Sequence, residues 1–191
     1  MIIQIQKYRN ITMKTIENYE NINNTKYIIK YPIETINSYN YSKYNETTAK
    51  QGDKYEAILY DTYLNNCCIN FIPTDRFNRI DYIGQTDKND IFIELKSRNI
   101  NIDAYPTTII PVSKIDYFKE ISKLNPSRQS RLYLIFAYGC TDDKQFYFIK
   151  YEPTLFKSFS ISKVFNKNHY DIPTEYLKPI ADFNNKLQNY L

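Results

Sequence analysis

The clearest pattern in the chain is Ile91-Phe92-Ile93-Glu94-Leu95-Lys96-Ser97-Arg98, which alternates with the period of a strand. Ile91, Ile93 and Leu95 fall on one face, and Glu94, Lys96 and Arg98 on the other. Two shorter apolar runs precede it. Cys67 to Ile72 is stopped by Pro73-Thr74-Asp75, and Phe77 to Ile83 carries Asp81 near its end. Turn formers from Gly84 to Asp90 join the second run to the third, so the three read as an antiparallel meander. That pairing puts Asp81 and Glu94 on adjacent strands. Upstream, Thr48-Ala49-Lys50-Gln51 has the form of a capping box, and Tyr55, Ile58, Leu59 and Thr62 recur at helical spacing to about Leu64. Glu56 lies on a neighbouring face of this predicted helix, in line with Gly52 and Tyr60.

After Arg98 a loop runs through Ala104-Tyr105-Pro106. A second helix is predicted with Ser113 as its cap, Asp116 at the third helical position, and Ile115, Phe118, Ile121, Ser122 and Leu124 inward. Asn125-Pro126 stops it. Strands from Arg131 to Tyr138 and Gln145 to Tyr151 follow, and a helix near Thr174 to Tyr190 is interrupted or started late by Pro179. Residues 1–46, rich in Asn, Tyr, Ile and Lys, read as an arm leading into the core. Within it, Lys26 to Tyr31 is a predicted strand closed by Pro32. Residues 47–152 form the core, and 153–191 a C-terminal extension of the same domain. The expected fold is α/β: an antiparallel three-strand meander and further strands in a mixed central sheet, flanked by helices.

Composition adds most through what is scarce. The 191 residues are enough for one domain with a real core, and 42% apolar and 24% charged residues are ordinary. Gly52, Gly84 and Gly139 are the only glycines, which excludes a Walker A or dinucleotide loop. His169 is the only histidine, and no nucleophile elbow accompanies it. Zinc sites built on several imidazoles or thiolates are excluded for the same reason. Cys67, Cys68 and Cys140 lack metal-ligand spacing and read as free thiols of a reducing, cytoplasmic compartment. No long apolar run opens the chain, so neither a signal peptide nor a membrane span is expected. The net charge of +4 is compatible with nucleic acid. Lys114, Lys119, Lys123, Arg128, Arg131, Lys150, Lys157, Lys163 and Lys167 interleave with Tyr and Phe, as a base-stacking surface requires or as a solvated basic face also would. No helix-turn-helix or finger motif is present.

Any chemistry must therefore rest on carboxylates and lysines, and carboxylate oxygens suit magnesium or manganese. Metal-assisted phosphodiester hydrolysis needs anionic oxygens for the cation, a group that positions water, and positive charge for the phosphate. Asp81 and Glu94 can supply the oxygens, joined by the Leu95 carbonyl. Lys96, on the same strand face as Glu94, can reach the water or the scissile phosphate and keep the carboxylates ionised. Glu56 can complete a second metal position or hold a water. Arg98 and Lys114 are candidate phosphate contacts.

Ile80-Asp81 and, thirteen positions on, Glu94-Leu95-Lys96 resemble the signature of the PD-(D/E)XK nuclease superfamily. Ile80 stands where many members carry proline. The resemblance spans residues 48–151 and implies a restriction endonuclease-like core with Asp81, Glu94 and Lys96 catalytic. Gly52-Asp53-Lys54-Tyr55-Glu56 and Glu94-Leu95-Lys96-Ser97-Arg98 are also similar to short motifs of archaeal-type Holliday junction resolvases. The expected activity is a magnesium-dependent deoxyribonuclease acting endonucleolytically, with DNA as partner and a two-fold dimer as the form that cuts both strands. Two rivals remain: a catalytically inactive nuclease-fold binding or structural protein, and a two-carboxylate glycoside hydrolase. The latter gives Lys96 no role, and the chain contains no tryptophan for a sugar platform.

Overall fold

The structure, a computed structural model, describes residues 3–8, 11–16, 29–33, 46–74, 78–140 and 143–191, with side chains from Gly52 onward. The chain divides into two units, Met1–Lys43 and Tyr44–Leu191. In the first, β1 (Ile3–Tyr8), β2 (Ile11–Ile16) and β3 (Ile29–Ile33) form an antiparallel sheet in that order. β3 runs through Pro32 instead of ending at it. An edge strand can carry proline, because the missing N–H is needed only on the paired side. Lys26, Tyr27 and Ile28 of the predicted strand lie outside the described residues.

The second unit is built on a six-stranded sheet containing β4 (Phe71–Pro73), β5 (Tyr82–Gln85), β6 (Asn89–Arg98), β8 (Gln129–Tyr138), β9 (Gln145–Lys150) and β12 (Lys178–Pro179). Their order is β12-β9-β8-β6-β5-β4, antiparallel throughout except for the parallel pair β6 and β8. A parallel pair needs a crossover, supplied here by β7 (Thr107–Pro111) and α2 (Val112–Ile121). The meander is as expected, though the strands are shifted. β4 begins only at Phe71, and the β5–β6 turn is confined to Thr86, Asp87 and Lys88.

β6 is a central strand, buried from Asn89 through Leu95 on both faces. Ile91, Ile93 and Leu95 join a core cluster with Tyr55 and Leu59 of α1 (Glu46–Leu59) and with Phe183 and Leu187 of a C-terminal helix, Phe183–Gln188. On the opposite face Phe92 meets Phe118 of α2 edge-on at 5.6 Å. Glu94 is on this second face, beneath α2.

Several predicted details are corrected. α1 begins at Glu46, so Thr48 lies inside the helix and not at its cap. The helix continues as a π-turn, Tyr60–Leu64. A π-turn adds a residue to the repeat and rotates the inward face, so Leu64 is buried and Thr62 exposed. α2 starts at Val112, with Pro111 as N-cap and no side-chain cap, so Ser113 caps nothing. It ends at Ile121, leaving Leu124 beyond the helix and 49% exposed. The C-terminal helix starts late, at Phe183, because a strand step ending at Pro179 and a 3-10 turn from Ile180 to Asp182 come before it. A second antiparallel sheet, β10 (Ser160–Val164), β11 (Lys167–Pro173) and β7, was not expected.

Gly84 in β5 has no room for a side chain. A Cβ there would lie 2.7 Å from Phe71 Cε1 and 2.9 Å from Ile69 Cγ2. Gly84→Ala is expected to destabilise by about 1–3 kcal/mol through overpacking, measured by chemical denaturation. An unchanged midpoint would mean that the Phe71 ring moves freely.

Candidate active site

The site forms where the β5–β6 ladder stops. Tyr82 pairs with Ile93, and the Asp81 N–H also reaches the Ile93 carbonyl at 2.9 Å. Two residues of one strand thus face one of the other, the arrangement of a β-bulge, which re-aims a side chain and ends pairing. Asp81 immediately precedes β5 and does not end a strand. Its side chain continues the ladder where the main chain leaves off: Oδ2 accepts the Leu95 N–H at 2.6 Å. On its far side the Asp81 carbonyl accepts the Thr74 N–H at 2.9 Å. The Ile93 carbonyl faces β5, and backbone groups two residues apart on a strand point the same way. The Leu95 carbonyl is therefore directed to that same edge, beyond the end of β5.

Glu94 is completely buried. Lys96 Nζ lies 2.6 Å from its Oε1, and Lys114 Nζ, from the first turn of α2, lies 2.7 Å from the same atom. Lys114 also donates to the Arg79 carbonyl at 2.6 Å, tying α2 to the segment before Asp81. A buried carboxylate needs such compensation. Glu94 Oε2 has no protein partner among the described residues.

Glu56 approaches from α1. Tyr82 donates its hydroxyl to the Glu56 carbonyl at 2.7 Å and stacks on Tyr60 at 6.0 Å, which docks the helix on β5. The Glu56 carboxylate enters the site through its field, being coupled to Glu94, Lys96 and Lys114. Arg98 is directed elsewhere: its Nη2 donates to the Ile109 carbonyl at 2.5 Å, Nε to the Thr108 hydroxyl at 3.3 Å and Nη1 to the Ser97 carbonyl at 3.2 Å. It joins β6 to β7. The structure therefore gathers Asp81, Glu94, Leu95 and Lys96, brings Glu56 within electrostatic range, adds Lys114 in direct contact with Glu94, and engages Arg98 in the scaffold. A signal for Lys114 was present in the sequence. A cation in the first turn of a helix opposes the dipole and needs an anion nearby.

Burial raises the Asp81 pKa well above the ordinary carboxylate range, and the Glu94 charge pushes the same way, against Lys96 and Lys114. Glu56 is raised by burial first, then by Asp53 and Glu94. For Lys96 burial is the largest influence and opposes its charge, but Glu94 and Asp81 together outweigh it and hold its pKa above that of free lysine. A carboxylate with a raised pKa binds more protons folded than unfolded, so its contribution to stability falls as pH rises from about 4 through the raised value. Metal-free protein is expected to lose thermal stability across that window, and Asp81→Asn to flatten the loss. Parallel Tm-versus-pH curves for the two proteins would refute this.

The oxygen donors that can hold a cation are Asp81, Glu94 Oε2 and the Leu95 carbonyl. No cluster of three His, Cys, Asp or Glu side chains suited to a metal exists among the described residues. The donor set fits magnesium nonetheless, because that ion keeps several waters and takes only one or two carboxylates from a protein. The unpartnered Oε2 of a fully buried glutamate is the observation that matches it.

The basic residues expected to form one face divide. Lys119 pairs with Asp116, Arg128 with Asp90 and Lys150 with Glu152, and Arg131 bonds Asn89. Lys123, Lys157, Lys163 and Lys167 are exposed and without a side-chain partner among the described residues. The cysteines are free, and burial pushes the Cys67 thiol up to about 12, which makes it unreactive. No described helix is long and apolar enough to cross a membrane.

A mixed central sheet flanked by helices, with helix, meander, helix and parallel strand in sequence, is consistent with the restriction endonuclease-like fold expected from the sequence. Among solved structures the chain is similar to Hjc, a Holliday junction resolvase from the archaeal hyperthermophile Archaeoglobus fulgidus. Identity is 14%, the match covers 71% of this chain and 96% of that one, and the TM-score is 0.46. No family model and no curated protein matches the chain.

Proposed function

We propose that the chain is a magnesium- or manganese-dependent deoxyribonuclease that hydrolyses DNA phosphodiester bonds as an endonuclease. The observation that carries this reading is Glu94, a buried carboxylate with one free oxygen, held between two lysines and beside Asp81. Asp81, Glu94 and the Leu95 carbonyl would hold the cation, with Glu56 available to a second one. When bound, the cation supplies Lewis acidity at a phosphoryl oxygen and offsets the charge that develops there. Lys96 stays protonated at neutral pH because the carboxylates raise its pKa. It therefore acts as a donor that orients water or holds the scissile phosphate, and not as a base. Glu56, coupled by charge to Glu94, Lys96 and Lys114, would hold a water at the site. Lys114 fixes the Glu94 carboxylate from the α2 side.

The test is a cleavage panel with magnesium or manganese across duplex, branched and single-stranded DNA. Cleavage of at least one substrate that EDTA abolishes is the expected result. No cleavage of any substrate, together with tight DNA binding, would establish the inactive binding protein in its place.

A further inference from the structure

The β10–β11 hairpin closes through two residues, since Val164 pairs with Lys167 and only Phe165 and Asn166 lie between. Both have positive φ, 48° and 62°, as a two-residue hairpin turn matched to strand twist requires. Such turns favour Asn and Gly. A bulky residue in the left-handed region is a real outlier, and here it is a phenylalanine 95% exposed to solvent. The sequence thus places a large apolar ring at a position where it is both strained and unburied, which points from the outlier to a function.

The hairpin beneath the tip is firmly built. Ser160 and Ser162 donate to Asp171 at 3.0 and 2.6 Å, Phe156 packs edge-on to Tyr170 at 5.5 Å, and His169 is buried with Nδ1 donating to the Lys167 carbonyl at 2.9 Å. Lys163 and Lys167 stand two positions to either side of Phe165, both exposed and without a side-chain partner among the described residues. The tip also lies at a defined place relative to the start of α2. His169 pairs with Pro111, the last residue of β7, and α2 with Lys114 follows at once. Asn166 is three strand residues past His169, about 10 Å beyond that junction. This is comparable to the width of a B-DNA groove, about 12 Å for the major and 6 Å for the minor.

We infer that Phe165 is a wedge that stacks between bases of the DNA strand, with Lys163 and Lys167 on the adjacent phosphates. The inference rests on the deoxyribonuclease reading. An aromatic face accepts any base, so the contact favours unstacked or distorted DNA over a particular sequence. A rigid hairpin presents the ring at low ordering cost.

The test uses the full chain in EDTA with three DNAs: a duplex, a gapped duplex and a four-way junction, each carrying 2-aminopurine at successive positions. Wild-type protein is expected to bind the distorted DNAs and to change the fluorescence at one or two positions. Phe165→Ala is expected to weaken that binding about 5- to 150-fold, the worth of one base stack, and to abolish the fluorescence change. Phe165→Trp should keep both. Phe165→Asn should behave like the alanine variant in binding while raising Tm, because asparagine relieves the turn. If the wild type binds and cuts DNA and Phe165→Ala binds equally with the same fluorescence change, the wedge is refuted and the nuclease reading stands. If the wild type neither binds nor cuts any DNA, both fall. A sedimentation mass that drops in Phe165→Ala would make the tip a contact between copies and would also overturn the wedge.

Discussion

Glu94→Gln is expected to reduce metal-dependent cleavage about 100- to 1,000-fold while leaving a folded protein. The amide keeps the shape of the side chain and removes the anion that Lys96 and Lys114 share and that the cation requires. Loss of a single well-placed electrostatic contact of this kind typically lowers the rate by 10²–10³, or about 3–4 kcal/mol of barrier. The fold survives because neither lysine is sealed in. Their side chains are 30% and 19% exposed, so both can turn toward water once the carboxylate is gone. Glu94→Ala is the poorer variant, since it adds a cavity beneath α2. Lys114→Ala should lower cleavage by a smaller factor, about 10- to 100-fold, the usual effect of removing a group that orients a ligand. A Glu94→Gln protein that cuts at more than a tenth of the wild-type rate would remove Glu94 from the chemistry. Equal losses from Lys96→Met and Lys114→Met would instead make the two lysines equivalent at the phosphate.

The candidate carboxylates were legible because they sit on or beside strands whose pattern is local. Alternation marked β6, turn formers marked the hairpin, and the spacing of Asp81 and Glu94 followed. The environment of Glu94 was not legible. Charged residues alternating with apolar ones describe a strand with one face in water, yet Glu94 is fully buried because α2 covers that face. The cover depends on β7, five residues that pair, among the described residues, with β11 far along the chain. Such a strand has no local signal, and the preceding Tyr105-Pro106 argued for a loop. The hairpin that supplies β11 was hidden for a related reason. Its turn is Phe165-Asn166, where the recognisable signal would be Asn-Gly. At Asp81 the sequence indicated the residue but not the bulge that aims it, since a bulge is fixed by two strands together.

Arg128 shows how far a plausible sequence reading can diverge from the role that the fold imposes. As one of several basic residues after the site, it belonged to a group that reads either as a DNA-facing surface or as a solvated basic face. In the structure its Nε meets Asp90 Oδ1 at 2.6 Å, Nη1 donates to the Asp87 carbonyl at 2.9 Å, and Nη2 donates to the carbonyls of Thr86 and of Asn89, the latter at 2.9 Å. Asp90 is fully buried, with further bonds from Gln85 at 2.8 Å and Asn125 at 3.4 Å. The arginine thus fastens the β5–β6 turn to the start of β8, where the parallel pairing begins. Arg128→Ala leaves the Asp90 charge buried without its cation, and breaking such a pair from one side costs about 3–5 kcal/mol. For a protein of this size that is a fall in Tm on the order of 10 °C. Arg128→Lys should recover only part of it, because an ammonium cannot reach the carboxylate and three carbonyls together. Asp90→Asn should cost less than Arg128→Ala, since it removes a charge without stranding one, and the double variant should be more stable than the sum of the single losses predicts. DNA affinity measured against salt separates this role from a phosphate contact. Arg128→Ala should leave the slope of log K on log salt unchanged, whereas Lys163→Ala or Lys167→Ala should each reduce it by about one. A slope that falls in Arg128→Ala with an unaltered Tm would return Arg128 to the DNA face and leave Asp90 held by Gln85 and Asn125 alone.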